Sequence, residues 1–358
     1  MKVNDLLNIV NNISPLHYGE SWDNNGLLVG DEQAEVTGIL TTLDCHPDVV
    51  KEAIDQNINV IVSHHPLIFS KLSKVTEDGI GSIIRTLIKH DINLISIHTP
   101  LDFQPYGVSH MIAKALGFNE SEVLIKQTED YQKLRVNVPK ENVEAIKTGL
   151  AKVGVGNQGD YSECFFEYPV QGQFRPNENA NPHIGKNNEL EVVEEYIVEA
   201  IFPTHLKKQV IEQLYQVHPY EEPAFDVLTL EREIEIGLGV KVSDETTLDA
   251  LVEKIKVLEI SGSINLVRAN DAPIKSIGII GGSGMSYVND AFKAGIDVLI
   301  TGDVKYHEAY DAKLNKQNII DVGHFIEVVM MNGLKDLLED KVSGLPVKAS
   351  RVNTNPFE

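Results

Sequence analysis

Cysteine is nearly absent from this chain: its 358 residues hold two, Cys45 and Cys164, far apart in sequence. That excludes a disulfide framework and any cysteine-rich zinc site, and it fits a reducing compartment, so a cytoplasmic location is expected. Basic residues are also short, 31 Lys and Arg against 53 Asp and Glu, for a net charge of −22. Such a chain repels nucleic-acid backbone and anionic lipid unless a local basic patch overrides the mean, and no such patch is present. Neither nucleic acid nor membrane is expected as a partner. No apolar run approaches the roughly 18 residues that a membrane span requires. The opening MKVNDLLNIVNNI sets Val3, Leu6, Leu7, Val10 and Ile13 at helical spacing between Asn and Asp. It reads as a mature amphipathic helix, not as the unbroken apolar stretch of a signal peptide.

What is there has globular composition, 42% hydrophobic and 23% charged, at a length that favours two domains. From residue 130 to residue 233 the pattern reads strand, helix, strand, strand, helix, strand, which is the split βαβ order of a ferredoxin-like module. The link RPNENANPHIGKNNE, rich in Pro, Gly and Asn, is expected to be an exposed loop between its two middle strands. Residues 1–129 and 234–358 share a second pattern that this module interrupts, so they are expected to form one discontinuous outer domain.

The outer segments repeat an amphipathic helix, a polar turn, an apolar strand and then polar residues. Four cases stand out: VVKEAIDQNINVIVSHHP, IIRTLIKHDINLISIHTPLD, VNDAFKAGIDVLITGDVKYH and AYDAKLNKQNIIDVGHFIE. Helix and apolar strand in alternation predict an α/β domain, α+β with the module included, whose largely parallel sheets are covered by helices. Ligands of such sheets bind beyond the carboxyl ends of the strands. Those ends supply His64 and His65, His98 and Asp102, Asp303 and His307, and His324 with Glu327.

Imidazole and carboxylate from four equivalent positions make a metal-site pattern, since both are ligands of zinc, iron and manganese. A single histidine near a strand end is more often a surface residue; four together are harder to dismiss. Neighbours on a strand point to opposite faces, so His64 and His65 cannot easily share one ion without a bulge, whereas two ions could each take one. The plainer alternative is a β-turn at SHHPLIF, stiffened by Pro66. GHFIE reads as a helix start, with Gly323 at the N-cap and His324 and Glu327 on one face.

Three further segments have competing readings. GGSGM places Gly281, Gly282, Ser283 and Gly284 after an apolar strand, where their N–H groups could cradle an anion. The segment lacks the spacing of a dinucleotide fingerprint, and a tight strand-to-helix turn is the simpler expectation. WDNNGLLVG holds the only Trp and an Asn-Gly turn signal, and is expected to be a hairpin turn with Trp22 as a core anchor. HPYEEPAFDV reads as a helix-to-strand connection in preference to a second metal site. No G-x-S-x-G elbow or separated Cys–His pair supports a side-chain nucleophile, which leaves metal-activated water.

In combination and order, WDNNGLLVG, SHHPLIF, HTPLD, GGSG, TGD and GHFIE resemble the dinuclear-metal-centre family of GTP cyclohydrolase I type 2 homologues, also called NGG-interacting-factor-three-like proteins. The resemblance covers nearly the whole chain, and the module with HPYEEPAFDV looks like the PII/CutA-like insertion of its longer bacterial members. It implies two divalent metal ions per chain, zinc first and iron or manganese next, held by His64, His65, Asp102, His324 and Glu327. Glu327 would be the bridging carboxylate, acting in catalysis through metal-bound water. Some members carry that carboxylate four residues after the late histidine, where this chain has three. His98, Asp303 and His307 have no metal role in the family pattern and are expected to orient ligands or substrate. The resemblance also implies a homohexamer and a hydrolase that opens the imidazole ring of GTP and releases formate. Two other functions fit the same residues: a non-catalytic metal-binding or regulatory assembly, and a metal-dependent phosphoester hydrolase.

Overall fold

The structure, a computed structural model, describes residues 1–258 and 264–357. The chain divides into a discontinuous unit, Met1–Gln127 with Glu235–Glu358, and a continuous unit, Thr128–Ile234.

The discontinuous unit begins with helix Val3–Ile13, and then β1 (Gly26–Val29), β2 (Ile39–Thr42), β3 (Val60–Ser63) and β4 (Asn93–Ser96) form a sheet in the order β1-β4-β3-β2. All pairings are parallel except β1 with β4. Every residue of β2, β3 and β4 is buried, which is why these strands are mostly apolar and show no alternation of polar and apolar positions. Leu40, Ile61 and Leu94 face helices Pro47–Asp55 and Gly79–Lys89. Their sequence neighbours Ile39, Val62 and Ile95 join the other core, which takes Val3, Leu6, Val10 and Ile13 of the first helix. The period of two along the strands and the helical spacing of those four apolar residues are thus both used.

In the continuous unit, β5 (Glu122–Pro139), helix Val143–Ala151, β6 (Phe166–Phe174), β7 (Glu191–Pro203), helix Lys207–Val217 and β8 (Phe225–Thr246) follow in turn, and the chain passes between units within β5 and β8. The strands lie in the order β6-β7-β5-β8, with β7 antiparallel to both β5 and β6. Ile146 and Leu150 from one helix and Val210 and Leu214 from the other pack with Val136, Val198 and Phe202 in one core. Residues 175–189 carry neither helix nor strand, as their composition predicts, and the backbone N–H of Asn181 donates to Glu221 at 2.9 Å.

Back in the discontinuous unit, β9 (Asn265–Val267), β10 (Ile274–Ile279), β11 (Val298–Thr301) and β12 (Asn318–Asp321) build a second sheet with β8, in the order β8-β10-β11-β12-β9. The strands β10, β11 and β12 are parallel, and β8 and β9 flank them antiparallel. Helix Met330–Glu339 follows, and β13 (Val347–Ala349) returns to the first sheet beside β2. Each of the four sequence repeats is a helix followed by a parallel strand, ending in β3, β4, β11 and β12, so their carboxyl ends deliver the polar residues anticipated there. No described helix is long and apolar enough to cross a membrane.

Candidate metal centre

The two sheets of the discontinuous unit each bring two strand ends to one place. Beyond β3 the chain bends at His64 and His65, and the Ser63 hydroxyl donates to the His65 carbonyl at 2.9 Å. The bend removes the strand alternation that would have separated the two rings, whose centroids are 5.2 Å apart. His98 lies two residues beyond β4 and caps the short helix Thr99–Asp102. After β12, Gly323 takes a φ of 73° and opens a 3-10 helix, His324–Val329. Three residues make one full turn there, so the spacing of three between His324 and Glu327 stacks the two side chains directly.

Each imidazole is held by its Nδ1. His64 reaches the Ile97 carbonyl at 3.0 Å, His65 reaches Asp44 at 2.8 Å, His98 reaches Asp23 at 2.9 Å and His324 reaches Asp303 at 2.7 Å. That leaves the Nε2 atoms for the centre. Those of His65 and His324 are 3.3 Å apart, and each is 3.2 Å from Glu327 Oε2. His64 Nε2 lies 3.5 Å from Asp102 Oδ1 and 4.0 Å from Glu327 Oε2; it is fully buried and has no hydrogen-bond partner among the described residues. Three groups of side chains hold their ligand atoms within 4.8 Å of one another: His64, His65 and His98; His65, His324 and Glu327; His64, Asp102 and Glu327. Such clusters, imidazoles oriented by carboxylates and converging on a shared carboxylate, are candidate metal-binding sites.

The electrostatics agree. Burial drives the His64 imidazole down to about 3, so it stays neutral with a free lone pair. Burial would also lower His65, but hydrogen bonds to Asp44 and Glu327 lift it to about 10. The Glu327 contact and Asp303 raise His324 to about 9. Burial would raise Glu327, yet its bonds to His324 and His65 prevail and hold it well below the usual carboxylate range. Burial, then the nearby charge of Glu327, pushes Asp102 well up. The carboxylates thus favour positive charge at His65 and His324, while burial keeps His64 neutral.

All five residues of the implied ligand set, His64, His65, Asp102, His324 and Glu327, come together, and His98 lies in one group with His64 and His65. Asp303 holds His324, whereas His307 is exposed on helix Tyr306–Leu314 against Tyr306 and belongs to none of the groups. Gly281 and Gly282 lie against Glu327: a Cβ on Gly282 would sit 2.8 Å from its Oε1. The Gly281 N–H donates to the Ser109 hydroxyl and the Gly284 N–H to Thr301, so the segment is a turn tied to the protein, with two of its N–H groups already engaged.

The expectation for WDNNGLLVG is corrected. Its residues Gly26–Val29 are β1, which pairs with β4 and so forms no local hairpin, and Trp22 is 55% exposed. The buried side chain is that of Asp23, whose Oδ1 meets His98 while its Oδ2 accepts from both the Thr99 backbone N–H and Asn25. A fully hydrogen-bonded carboxylate takes the interior place that apolarity alone assigns to Trp22. Asp44 and Asp23 were not foreseen as ring holders. Asp44 had a signal, because it follows β2 in the register of the other strand-end ligands. HPYEEPAFDV is the connection expected, between helix Lys207–Val217 and β8. Its His218 donates from Nε2 to the Asn137 carbonyl, and its Tyr220 hydroxyl donates to the buried Glu195.

Two cavities open on the cluster, one of about 390 Å³ lined by Asp44, His65, Asp303 and His324, the other of about 200 Å³ lined by Trp22, His98, Asp102, Gly282 and Glu327. Known proteins resemble the chain along its whole length. A Staphylococcus aureus protein named GTP cyclohydrolase 1 type 2 homolog is 43% identical over 364 residues, covering 100% of both chains. The crystal structure of a Staphylococcus aureus protein superposes with a TM-score of 0.82 at 39% identity, covering 100% of this chain and 98% of the other. That of a Bacillus cereus protein related to NIF3 gives 0.79 at 35% identity, covering 100% and 99%. The family model described as Duf34/NIF3 (NGG1p interacting factor 3) matches residues 1–356. With the fold, the clustered ligands and the full-length similarity in agreement, the chain belongs to the Duf34/NIF3 family.

Proposed function

We propose that this protein is a dinuclear metal-dependent hydrolase that opens the imidazole ring of GTP, or of a closely related purine nucleotide, and releases formate. The observation that carries the reading is the buried, unpartnered Nε2 of His64, aimed at a point where Glu327 and two further imidazoles converge. A donor set of imidazole and carboxylate without thiolate suits zinc first, with ferrous iron and manganese as alternatives. Two such ions, held by His64, His65, Asp102, His324 and Glu327, would supply Lewis acidity and an acidified water. Among the described residues Glu327 is the one carboxylate shared by two of the three groups, which supports it as the bridge. Asp44, Asp23 and Asp303 keep the imidazoles in the tautomer that presents Nε2.

GTP enters as substrate from the name of the Staphylococcus aureus relative. One water adds to the ring carbon between the imidazole nitrogens, a C–N bond opens to a formamide, and a second water releases formate. The strand order β6-β7-β5-β8 supports reading residues 130–233 as a ferredoxin-like insertion of PII/CutA type between 1–129 and 234–358. Two free cysteines support a cytoplasmic setting, and a homohexamer belongs to the same reading.

The test is elemental analysis of protein purified without added metal, followed by a formate assay with GTP. About two ions per chain are expected, falling in both His64→Ala and Glu327→Ala. Glu327→Ala should abolish formate release with the fold retained. A chain that takes up no metal after reconstitution with zinc, iron and manganese would overturn the proposal. Loss of assembly together with metal would favour a structural role for the ions.

A further inference from the structure

Trp22 is the only tryptophan of the chain, and it stands 55% exposed beside Phe69, also 55% exposed, with ring centroids 5.7 Å apart. Large aromatic side chains left open in this way forfeit burial energy and mark contact surfaces. The placement is held from beneath. Asp23 is locked to His98 and Thr99, and Asn24 donates to the Ile68 carbonyl at 2.6 Å, joining the segment that carries Trp22 to the one that carries Phe69. The Trp22 ring meets that of His98 edge-on at 6.0 Å.

Trp22 forms part of the wall of the cavity of about 200 Å³ that reaches Asp102 and Glu327. That volume lies below the roughly 300 Å³ at which pockets for drug-sized ligands begin, so it suits one planar ring system with the remainder of a ligand outside. The cavity also holds a carboxylate away from the cluster, Glu20, whose Oε1 is 3.4 Å from the Tyr287 hydroxyl and whose backbone N–H is fixed to Thr99.

We propose that Trp22 and Glu20 form a base-recognition subsite, Trp22 stacking on a planar heteroaromatic ring and Glu20 accepting hydrogen bonds from its N–H edge, as a guanine-like base presents. This rests on the reading of the neighbouring cluster as a metal centre acting on a purine nucleotide. Stacking holds the ring plane, and the carboxylate selects a donor edge over an acceptor edge. Together they turn the five-membered part of a purine toward the cluster.

A single tryptophan makes the test direct. Guanosine, adenosine and ribose 5-phosphate are titrated into metal-loaded protein while Trp22 emission is followed, and binding is measured separately by equilibrium dialysis. Guanosine should quench the emission saturably and ribose 5-phosphate should not. Trp22→Leu should weaken guanosine binding on the order of tenfold, with Trp22→Phe restoring most of it and metal content unchanged in both. Glu20→Gln should reduce the preference for guanosine over adenosine. Unchanged guanosine binding in Trp22→Leu, no guanosine binding to wild type, or emission that responds to protein dilution but not to guanosine would overturn the subsite. Quenching without formate release would remove the hydrolase reading alone; formate release with Trp22 uninvolved would remove this inference alone.

Discussion

Asp44 Oδ1 lies 2.8 Å from Nδ1 of His65, and the other nitrogen of that ring lies 3.2 Å from Glu327. The Thr354 hydroxyl donates to the second oxygen of Asp44, so the carboxylate that aims His65 is itself aimed. Replacing Asp44 by Asn keeps the shape and removes the charge that makes the ring a strong donor. Asp44→Asn is expected to lower metal affinity about 10- to 100-fold without loss of fold. Competition with a chromophoric chelator, beside a thermal melt, measures both. Affinity equal to wild type would show that the contact is idle.

Metal uptake should release protons. In the metal-free protein His65 and His324 titrate near about 10 and about 9, so both are protonated at neutral pH, whereas His64, near about 3, is not. A metal must displace the first two protons, and affinity should therefore climb as pH rises from 7 toward 9. Calorimetry in buffers of different ionisation heat reads the release directly, and none at pH 7 would contradict the assignment. The same raised values stabilise the metal-free fold. That contribution is complete below the unfolded histidine value near 6.5 and is lost as pH rises through 9 to 10. Melting of the metal-free protein should accordingly drop between pH 7 and pH 10.

Gly282 and Gly159 share a φ of 56° but differ in surroundings: a Cβ at Gly282 would meet Glu327 Oε1 at 2.8 Å, and one at Gly159 would meet nothing within 4 Å. Alanine at either position carries the left-handed backbone cost of about 1–2 kcal/mol. Only Gly282→Ala should also displace Glu327 and reduce metal content. Equal metal loss in the two variants would disprove the steric argument.

Cys45 is buried, and burial with the neighbouring Asp44 charge pushes its thiol up to about 12. Native protein at pH 8 should therefore leave Cys45 unmodified by iodoacetamide while Cys164, partly exposed, reacts, and denaturant should expose both. Mass spectrometry of the digested protein assigns the modified residue.

Tyr220→Phe would leave the buried Glu195 with Asn137 as its remaining side-chain hydrogen-bond partner. A loss of about 1–3 kcal/mol is expected in the unfolding of the continuous unit, with metal content unchanged. Urea unfolding followed by hydrogen exchange in β7 reports it.

The alternation of amphipathic helices and mostly apolar strands was legible because each element buries a face with its own period. The clustered imidazoles and carboxylates were legible because they follow the carboxyl ends of the parallel strands β3, β4 and β12. Asp23 escaped notice because one carboxylate among Asn residues has no periodic signature; only the fold brings it to His98. Trp22 was misassigned for a related reason, since apolarity predicts burial and says nothing of a polar neighbour that satisfies all its bonds inside. His307 shared the pattern of the strand-end residues, but it lies on the following helix, turned to solvent beside Tyr306.

The contact between His65 and Glu327 spans 262 positions of sequence, and β2 receives β13 as its neighbour only from residues 347–349. A ribosome making this protein has exposed His64, His65, His98 and Asp102 long before it reaches His324. The nascent chain can pair β1 to β4, but it offers an ion only half a centre until nearly the whole polypeptide has emerged. Only the group of His64, His65 and His98 is complete early, so truncated products of aborted synthesis should hold metal more weakly than the whole chain.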